Sequence, residues 1–207
     1  MKTQLYDAFW PSLSVLILAL VASLNFSLSS SIAPPSEQAL PTKAERAPFA
    51  PFIAGSPRPR SAARALAIPV DGVLPNQLSD TWGAARSEGR THQGVDILAA
   101  AGTPVRAVAP GRIVRFYDSQ RGGITIYQFD AQERLVFYYA HLQVRAPHIA
   151  EGQYVEQGQL IGFVGSTGNA TTPHLHFEIQ RLGAEKQWWR AEALNPYPYL
   201  LSGELPP

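Results

Sequence analysis

The most regular hydrophobic pattern in the chain is a strict alternation near its C-terminal end. Residues 173–179 read PHLHFEI, in which every second residue is apolar and the residues between them are His174, His176 and Glu178. Side chains of a strand point to opposite faces with a period of two. The pattern therefore predicts a strand that buries its apolar face and carries both histidines on the other face, an arrangement that a helix would not produce.

Shorter runs of the same kind extend over most of the chain from about residue 67. They are rich in β-branched and aromatic residues and are separated by turn residues such as Pro-Gly and Glu-Gly, which predicts an all-β domain. The predicted strands are 105–108, 111–117, 123–129, 134–142, 154–155 and 160–164. Residues 130–133 are predicted to form a hairpin loop, and no segment after residue 67 has a helical period of useful length.

The N-terminal residues 1–33 have a different pattern. No charged residue occurs between residues 8 and 36, and residues 13–24 read LSVLILALVASL. This apolar run lies between the length of a secretory signal and that of a membrane-spanning helix. Three interpretations stay open: an uncleaved anchor, a cleaved signal peptide and a buried helix. The small-x-small pattern of a cleavage site is present, but Pro34 directly follows it and should hinder cleavage. Either of the first two predicts a periplasmic or other extracytoplasmic domain, tethered to the inner membrane if the helix is retained.

Residues 34–66 are rich in proline, alanine and serine and have no hydrophobic periodicity. Such a segment is typical of a linker, and at about 3.1 Å per residue its upper reach is about 100 Å. A spacer role and a poorly ordered surface tail are both compatible with this composition. The predicted organisation is therefore a signal or anchor (1–33), a linker (34–66) and a domain (67–207).

The amino-acid composition excludes several kinds of binding site and catalytic site. The 207 residues carry a formal net charge of +1, which gives no electrostatic signature of a nucleic-acid-binding protein. Cysteine is absent, so thiol catalysis, disulfides and cysteine-bound zinc are excluded. The HEXXH signature of helical zinc proteases is also absent. Five histidines remain as candidate ligands or bases.

Residues 90–98 read RTHQGVDIL and place His92 and Asp96 four residues apart. If this segment is extended, both side chains lie on one face. Imidazoles and a carboxylate that converge from two strands form a suitable catalytic zinc site, because three protein ligands leave the fourth tetrahedral position open. Zinc in such a site lowers the pKa of water to about 7 and polarises a substrate carbonyl.

These residues occur in the order and context of the lysostaphin-type (LytM) peptidoglycan metallopeptidases, which the chain resembles over about residues 70–201. The matching segments are rich in glycine and end with an Asn-Pro pair: residues 94–97, 102–105, 109–111, 139–142, 152–155, 158–162, 165–168 and 195–196. The chain departs from the family at Thr172, where members often carry glycine before the proline of the HxH strand.

The resemblance implies a compact antiparallel β-sheet or sandwich with a groove over the metal. It also implies that His92, Asp96 and His176 bind one zinc ion per chain. His141 and His174 would be the catalytic histidines that orient and deprotonate water, stabilise the oxyanion and pass a proton to the leaving amine. The implied activity is hydrolysis of peptide bonds in the stem peptides or cross-bridges of cell-wall peptidoglycan.

Two other functions stay open: a noncatalytic regulator or scaffold for other wall hydrolases, and a wall-binding module. Regulators of this type generally lack one or more ligands, whereas this chain keeps them all, so the enzyme is favoured. The scissile bond also stays open, between a D,D cross-link and a glycine-containing bridge.

Several other residues have two interpretations each. Glu178 is either an acceptor that orients a site histidine or a solvated carboxylate. Tyr139 shares a predicted strand face with His141 and either lines the groove or packs in the core. Trp188 and Trp189 either stack on glycans or close the core. His148 is predicted to be an ordinary loop residue.

Overall fold

The computed structural model describes residues 66–207, where nine strands and one short helix are found. The elements are β1 (Val95–Leu98), β2 (Pro104–Arg106), β3 (Gly111–Ser119), β4 (Gly123–Asp130), β5 (Leu135–Arg145), β6 (Tyr154–Val155), β7 (Leu160–Val164), β8 (His174–Arg181), β9 (Glu192–Leu194) and α1 (Tyr197–Ser202). Single 3-10 turns lie at Pro75–Gln77, Ser87–Gly89 and Trp188–Arg190. The predicted anchor and nearly all of the predicted linker lie outside the described residues.

All strand pairs are antiparallel, and the central order is β1-β8-β5-β4-β3-β6. β9 pairs with β8, and β7 connects β2 to β5. The prediction of an antiparallel all-β fold is therefore confirmed. Helix α1 was not predicted, because its six residues are too few to show a helical hydrophobic period. Among residues 66–207, no helix is long and apolar enough to cross a membrane.

The main core lies on one face of the sheet. Leu175, Phe177 and Ile179 of β8 are completely buried in it, as the alternation predicted. Phe137 of β5 is also buried in this core, whereas the adjacent Val136 belongs to a second, smaller apolar cluster. Because neighbouring strand residues point to opposite faces, the second cluster lies on the face that carries His174 and His176.

The second cluster decides between the two interpretations of one tryptophan. Trp188 packs against it, with its ring centroid 4.4 Å from that of Tyr127 and 5.9 Å from that of Tyr117. Trp188 therefore has the packing role. Trp189 meets Trp188 edge-on, and 48% of its surface is exposed.

Strand β5 breaks the two-residue alternation at His141, whose φ is +60°. Left-handed backbone is uncommon outside glycine, although histidine adopts it more readily than most residues. Tyr139 is fully buried in the core, whereas Tyr138 and His141 line the groove on the other face. The prediction that Tyr139 shares a face with His141 is therefore wrong, and its packing interpretation is correct. The reason is the left-handed residue, which turns His141 away from the core.

The hydroxyl group of Tyr139 forms two buried hydrogen bonds. It accepts from the Val108 N–H at 3.0 Å and donates to Gln128 Oε1 at 2.9 Å, and the Gln128 amide donates to the Ala109 carbonyl at 2.7 Å. Burial raises the pKa of Tyr139, so the hydroxyl stays protonated and keeps its proton for Gln128. This network joins β5 and β4 to the segment that follows β2.

Candidate metal centre

Strands β1 and β8 bring the predicted ligands together. Asp96 and His176 are direct partners across the two strands, and His92 lies in the loop before β1. His92 Nε2 is 2.8 Å from His176 Nδ1 and 3.1 Å from Asp96 Oδ1, and the last two atoms are 3.0 Å apart. Three potential ligand atoms therefore form a nearly equilateral triangle.

Hydrogen bonds determine which nitrogen each imidazole directs into this triangle. His92 Nδ1 is 2.7 Å from the Thr81 carbonyl oxygen, which can only accept, so Nδ1 carries the proton and Nε2 has a free lone pair. His176 donates its Nε2 proton to Glu178 Oε1 at 2.8 Å, so its Nδ1 is left to bind a proton or a metal ion. Glu178 is thus the acceptor that orients His176.

The triangle fits a tetrahedral zinc ion. Nitrogen and oxygen ligands at 2.0–2.2 Å from zinc lie about 3.3 Å apart. The observed separations of 2.8–3.1 Å are slightly shorter, so a small outward movement of the side chains accommodates the ion. Two histidines and one carboxylate are also among the ligand sets of catalytic zinc sites.

The electrostatics of the site favour a cation. Burial lowers the pKa of His176, but its hydrogen bonds to Asp96 and Glu178 outweigh burial and raise it to about 9. Burial raises the pKa of Asp96, whereas its close contacts with His176, His92 and Arg86 outweigh burial and hold the pKa well below its usual range. Surroundings that stabilise a positive charge on His176 also stabilise a metal ion between the same atoms.

Arg86 contributes directly to the position of Asp96. Its guanidinium Nη2 donates to Asp96 Oδ2, while Oδ1 faces the two histidines. The Asp96 backbone N–H donates to Thr81 Oγ1 at 3.0 Å. The carboxylate is therefore held at both its side chain and its backbone.

The two predicted catalytic histidines lie beside the triangle and line the same groove. His141 Nδ1 is 2.8 Å from the Thr167 carbonyl oxygen, and His174 Nδ1 is 2.8 Å from that of Thr172. Both Nδ1 atoms therefore donate and both Nε2 atoms have a free lone pair. His174 Nε2 is 3.6 Å from Asp96 Oδ1. Burial, with a contribution from the neighbouring histidines, lowers the pKa of His141 to about 4, so its imidazole is neutral at pH 7.

Close backbone approach explains two glycines at the site. A Cβ atom on Gly94 would lie 2.6 Å from the Phe177 carbonyl oxygen and 2.9 Å from His176 Cε1. Gly168 has a φ of +74°, and a Cβ atom there would lie 2.4 Å from the Arg121 carbonyl oxygen. A side chain at either position would displace a segment that holds a site histidine.

Several residues that shape the site were not predicted: Thr81, Arg86 and Tyr138. The contact of Thr81 with His92 is made by a backbone carbonyl, which every residue type carries, so no sequence signal could identify that contact. The rings of Tyr138 and His176 meet in a T-shaped arrangement at a centroid distance of 6.0 Å. Thr167 lies in the Gly-Ser-Thr-Gly segment that carried part of the family resemblance. His148 is exposed and is not among the residues that line the groove.

Comparison with known proteins gives a family match for this domain. Residues 90–195 match peptidase family M23. The chain is 36% identical over 133 residues to the L-Ala–D-Glu endopeptidase of Bacillus subtilis, a match that covers 60% of this chain and 39% of that enzyme. It is 39% identical over 117 residues to lysostaphin of Staphylococcus simulans, covering 55% of this chain and 22% of lysostaphin. The chain thus spans less than half the length of these curated relatives.

Solved structures have the same fold. The antimicrobial peptidase lysostaphin from Staphylococcus simulans superposes with a TM-score of 0.56 at 31% identity, covering 69% of this chain and 55% of that one. A zinc-containing peptidase from Vibrio cholerae superposes with a TM-score of 0.51 at 25% identity, covering 69% of this chain and 41% of that one. The fold and the family match define a LytM-type peptidase domain. The chain belongs to peptidase family M23, and the resemblance to lysostaphin-type enzymes is confirmed.

Proposed function

We propose that this protein is a zinc-dependent endopeptidase that hydrolyses peptide cross-links of bacterial peptidoglycan. The observation that carries the proposal is the convergence of three ligand atoms within 3.1 Å of one another beside two further histidines. Two relatives support a wall-peptide substrate, since one is an L-Ala–D-Glu endopeptidase and another is a peptidoglycan DD-endopeptidase.

In this proposal His92, Asp96 and His176 hold the zinc ion. Bound zinc would supply Lewis acidity, which polarises the substrate carbonyl and makes water more acidic. Thr81 and Glu178 keep the two ligand imidazoles in the required tautomers. Every one of these contacts acts before substrate arrives, so the site is preorganised.

The remaining two histidines move the protons. His141 and His174 each expose an Nε2 lone pair to the groove, and the carbonyls of Thr167 and Thr172 fix their orientation. One Nε2 accepts a proton from the attacking water; the N–H formed in this way donates a hydrogen bond to the oxyanion and then passes its proton to the departing amine. Overall, one water adds across the amide C–N bond, and the products are a carboxylate and a protonated amine.

The noncatalytic alternative, a regulator or scaffold for other wall hydrolases, is not favoured. A protein that only binds other hydrolases has no need to keep the tautomers of four histidines aligned on one groove. No specific feature of residues 66–207 points to that alternative or to a wall-binding module.

We further propose an extracytoplasmic location with the domain tethered to the inner membrane. The uncharged apolar run at residues 13–24 supports this location. Fractionation of cells that express the full chain tests it: a tethered protein sediments with membranes and is accessible to protease added to spheroplasts.

The central experiment is digestion of purified cross-linked peptidoglycan by the full-length protein, with zinc and with a chelator. Mass spectrometry of the released muropeptides is expected to show zinc-dependent conversion of cross-linked dimers to monomers and to identify the bond. Absence of product from protein that contains one zinc per chain would refute the peptidase and favour the regulator.

A further inference from the structure

The groove beside the metal centre is lined by three arginines, Arg86, Arg90 and Arg121. Arg86 and Arg90 flank the turn Ser87–Gly89, and Arg121 lies in the turn between β3 and β4. Arg86 forms an ion pair with the ligand Asp96. The other two arginines are not committed to the metal centre, so their partners indicate what this part of the groove can bind.

Arg90 and Arg121 share a single carboxylate. Glu88 Oε2 is 2.9 Å from Arg121 Nη2 and 3.7 Å from Arg90 Nε. Arg90 Nε is buried and has no hydrogen-bond partner among the described residues, although Arg90 Nη2 donates to Ser87 Oγ at 3.2 Å. Two guanidinium groups therefore face one carboxylate, and a buried donor in the groove wall is left over.

The Glu88 carboxylate is weakly held. Its side chain is 67% exposed, and that of Arg121 is 64% exposed. Ion pairs this exposed contribute little to stability. Another carboxylate can replace Glu88 at low cost, and guanidinium groups bind carboxylates through two parallel hydrogen bonds.

We propose that Arg90 and Arg121 form a subsite for a carboxylate of the substrate peptide, which Glu88 occupies intramolecularly. This inference rests on the proposed function and adds the substrate class. The groove selects wall peptides that carry a free carboxylate near the scissile bond, such as a D-glutamyl residue, over uncharged glycine bridges. Glu88 then acts as an internal competitor for the same two guanidinium groups.

The test uses the full-length zinc-loaded protein and two cross-linked muropeptide dimers. The dimers differ only in the D-glutamyl α-carboxyl group, which is free in one and amidated in the other. We expect kcat/KM to be about tenfold higher for the free carboxylate, the effect of one charge-assisted hydrogen-bonded contact. Arg121→Gln reduces this preference to about twofold or less.

Glu88→Gln is expected to change kcat/KM in the opposite direction to Arg121→Gln. Removal of the internal carboxylate raises kcat/KM for the free-carboxylate dimer above that of the wild type, because its competitor is gone. Arg134→Gln is the matched control, since Arg134 is an exposed arginine that does not line the groove. Both tested side chains are mostly exposed, so the variants are expected to fold.

Calorimetric binding of the same two dimers separates this inference from the proposed function. If neither dimer is hydrolysed, the peptidase is refuted, but tighter binding of the free-carboxylate dimer that Arg121→Gln removes still supports the subsite. Equal kcat/KM and equal affinity for both dimers would overturn the subsite. A drop in affinity for the free-carboxylate dimer in Glu88→Gln would also overturn it.

Discussion

Replacement of Glu178 tests whether the carboxylate behind His176 controls metal binding. Glu178 Oε1 accepts the Nε2 proton of His176 at 2.8 Å, and its Oε2 accepts from Gln180 Nε2 at 2.5 Å. Both oxygens therefore act as acceptors, and the side chain is only 13% exposed, so water cannot readily replace it. In Glu178→Ala, His176 loses the partner that directs its Nδ1 toward Asp96 and His92.

The expected magnitude follows from these contacts. Loss of a hydrogen-bonded partner behind a metal ligand typically weakens metal binding 10- to 100-fold, which corresponds to about 1.4–2.7 kcal/mol. We expect Glu178→Ala to fall in this range. Glu178→Gln keeps an acceptor oxygen but loses the charge, so its loss is smaller, about three- to tenfold.

The assay is the zinc dissociation constant of the full-length protein, measured by competition with a chromophoric chelator. Gln180→Ala is the matched control, since Gln180 contacts Glu178 but not His176. His176→Ala, which removes a ligand, sets the scale for complete loss. Melting curves in excess chelator show whether a variant is destabilised independently of zinc. A zinc affinity of Glu178→Ala within about twofold of the wild type would refute the orienting role.

Three other substitutions test the catalytic site and the fold. His141→Ala is expected to retain zinc by metal analysis, because His141 is not one of the three ligands, but to lose hydrolysis, because it is one of the two histidines proposed to transfer protons. Loss of zinc in this variant would show that His141 is a ligand. Tyr139→Phe is expected to lower the free energy of unfolding by about 2–4 kcal/mol in denaturant titrations, because the Val108 N–H and Gln128 Oε1 each lose a buried partner; a change below about 1 kcal/mol would contradict this. Asp71→Asn is expected to lose at most about 1 kcal/mol at pH 7, since its contact with Arg106 is solvent-exposed. The hydrogen bond from Arg106 lowers the pKa of Asp71, so the pair stabilises the fold above about pH 4 and loses this effect as pH falls through the lowered pKa. An equal difference in melting temperature between wild type and Asp71→Asn at pH 7 and at pH 2 would contradict a stabilising role of the ionised Asp71 carboxylate.

Local sequence patterns predicted the burial of side chains correctly where a single strand determines it. The alternation in β8 predicted which side chains are buried because the two-residue period of a strand is a property of the backbone alone. The alternating runs predicted an all-β domain, and the family resemblance added its antiparallel arrangement and the set of five candidate site residues. Their order along the chain reflects a shared topology, and the structure brings all five to one groove.

Strand alternation failed at His141, where a single left-handed residue reverses the face. That conformation is stabilised by contacts from distant segments: the His141 N–H donates to the Gly122 carbonyl, and its Nδ1 donates to the Thr167 carbonyl. Neither contact can be read from the local sequence, since backbone carbonyls are identical in every residue. Simple alternation therefore places Tyr139, rather than Tyr138, on the face of His141, which is the reverse of what the structure shows.

The sequence by itself therefore determined the fold class and the residue types available for metal chemistry, because periodicity and composition are encoded locally. Only the tertiary structure decided the tautomers of the four site histidines, the pairing of Glu178 with His176, and the meeting of Glu88 with Arg121. These depend on distances between atoms that are far apart in the chain, such as Thr81 and His92 or His141 and Thr167. The physical reason is that a hydrogen bond requires donor and acceptor within about 3 Å, a condition set by packing of the whole sheet.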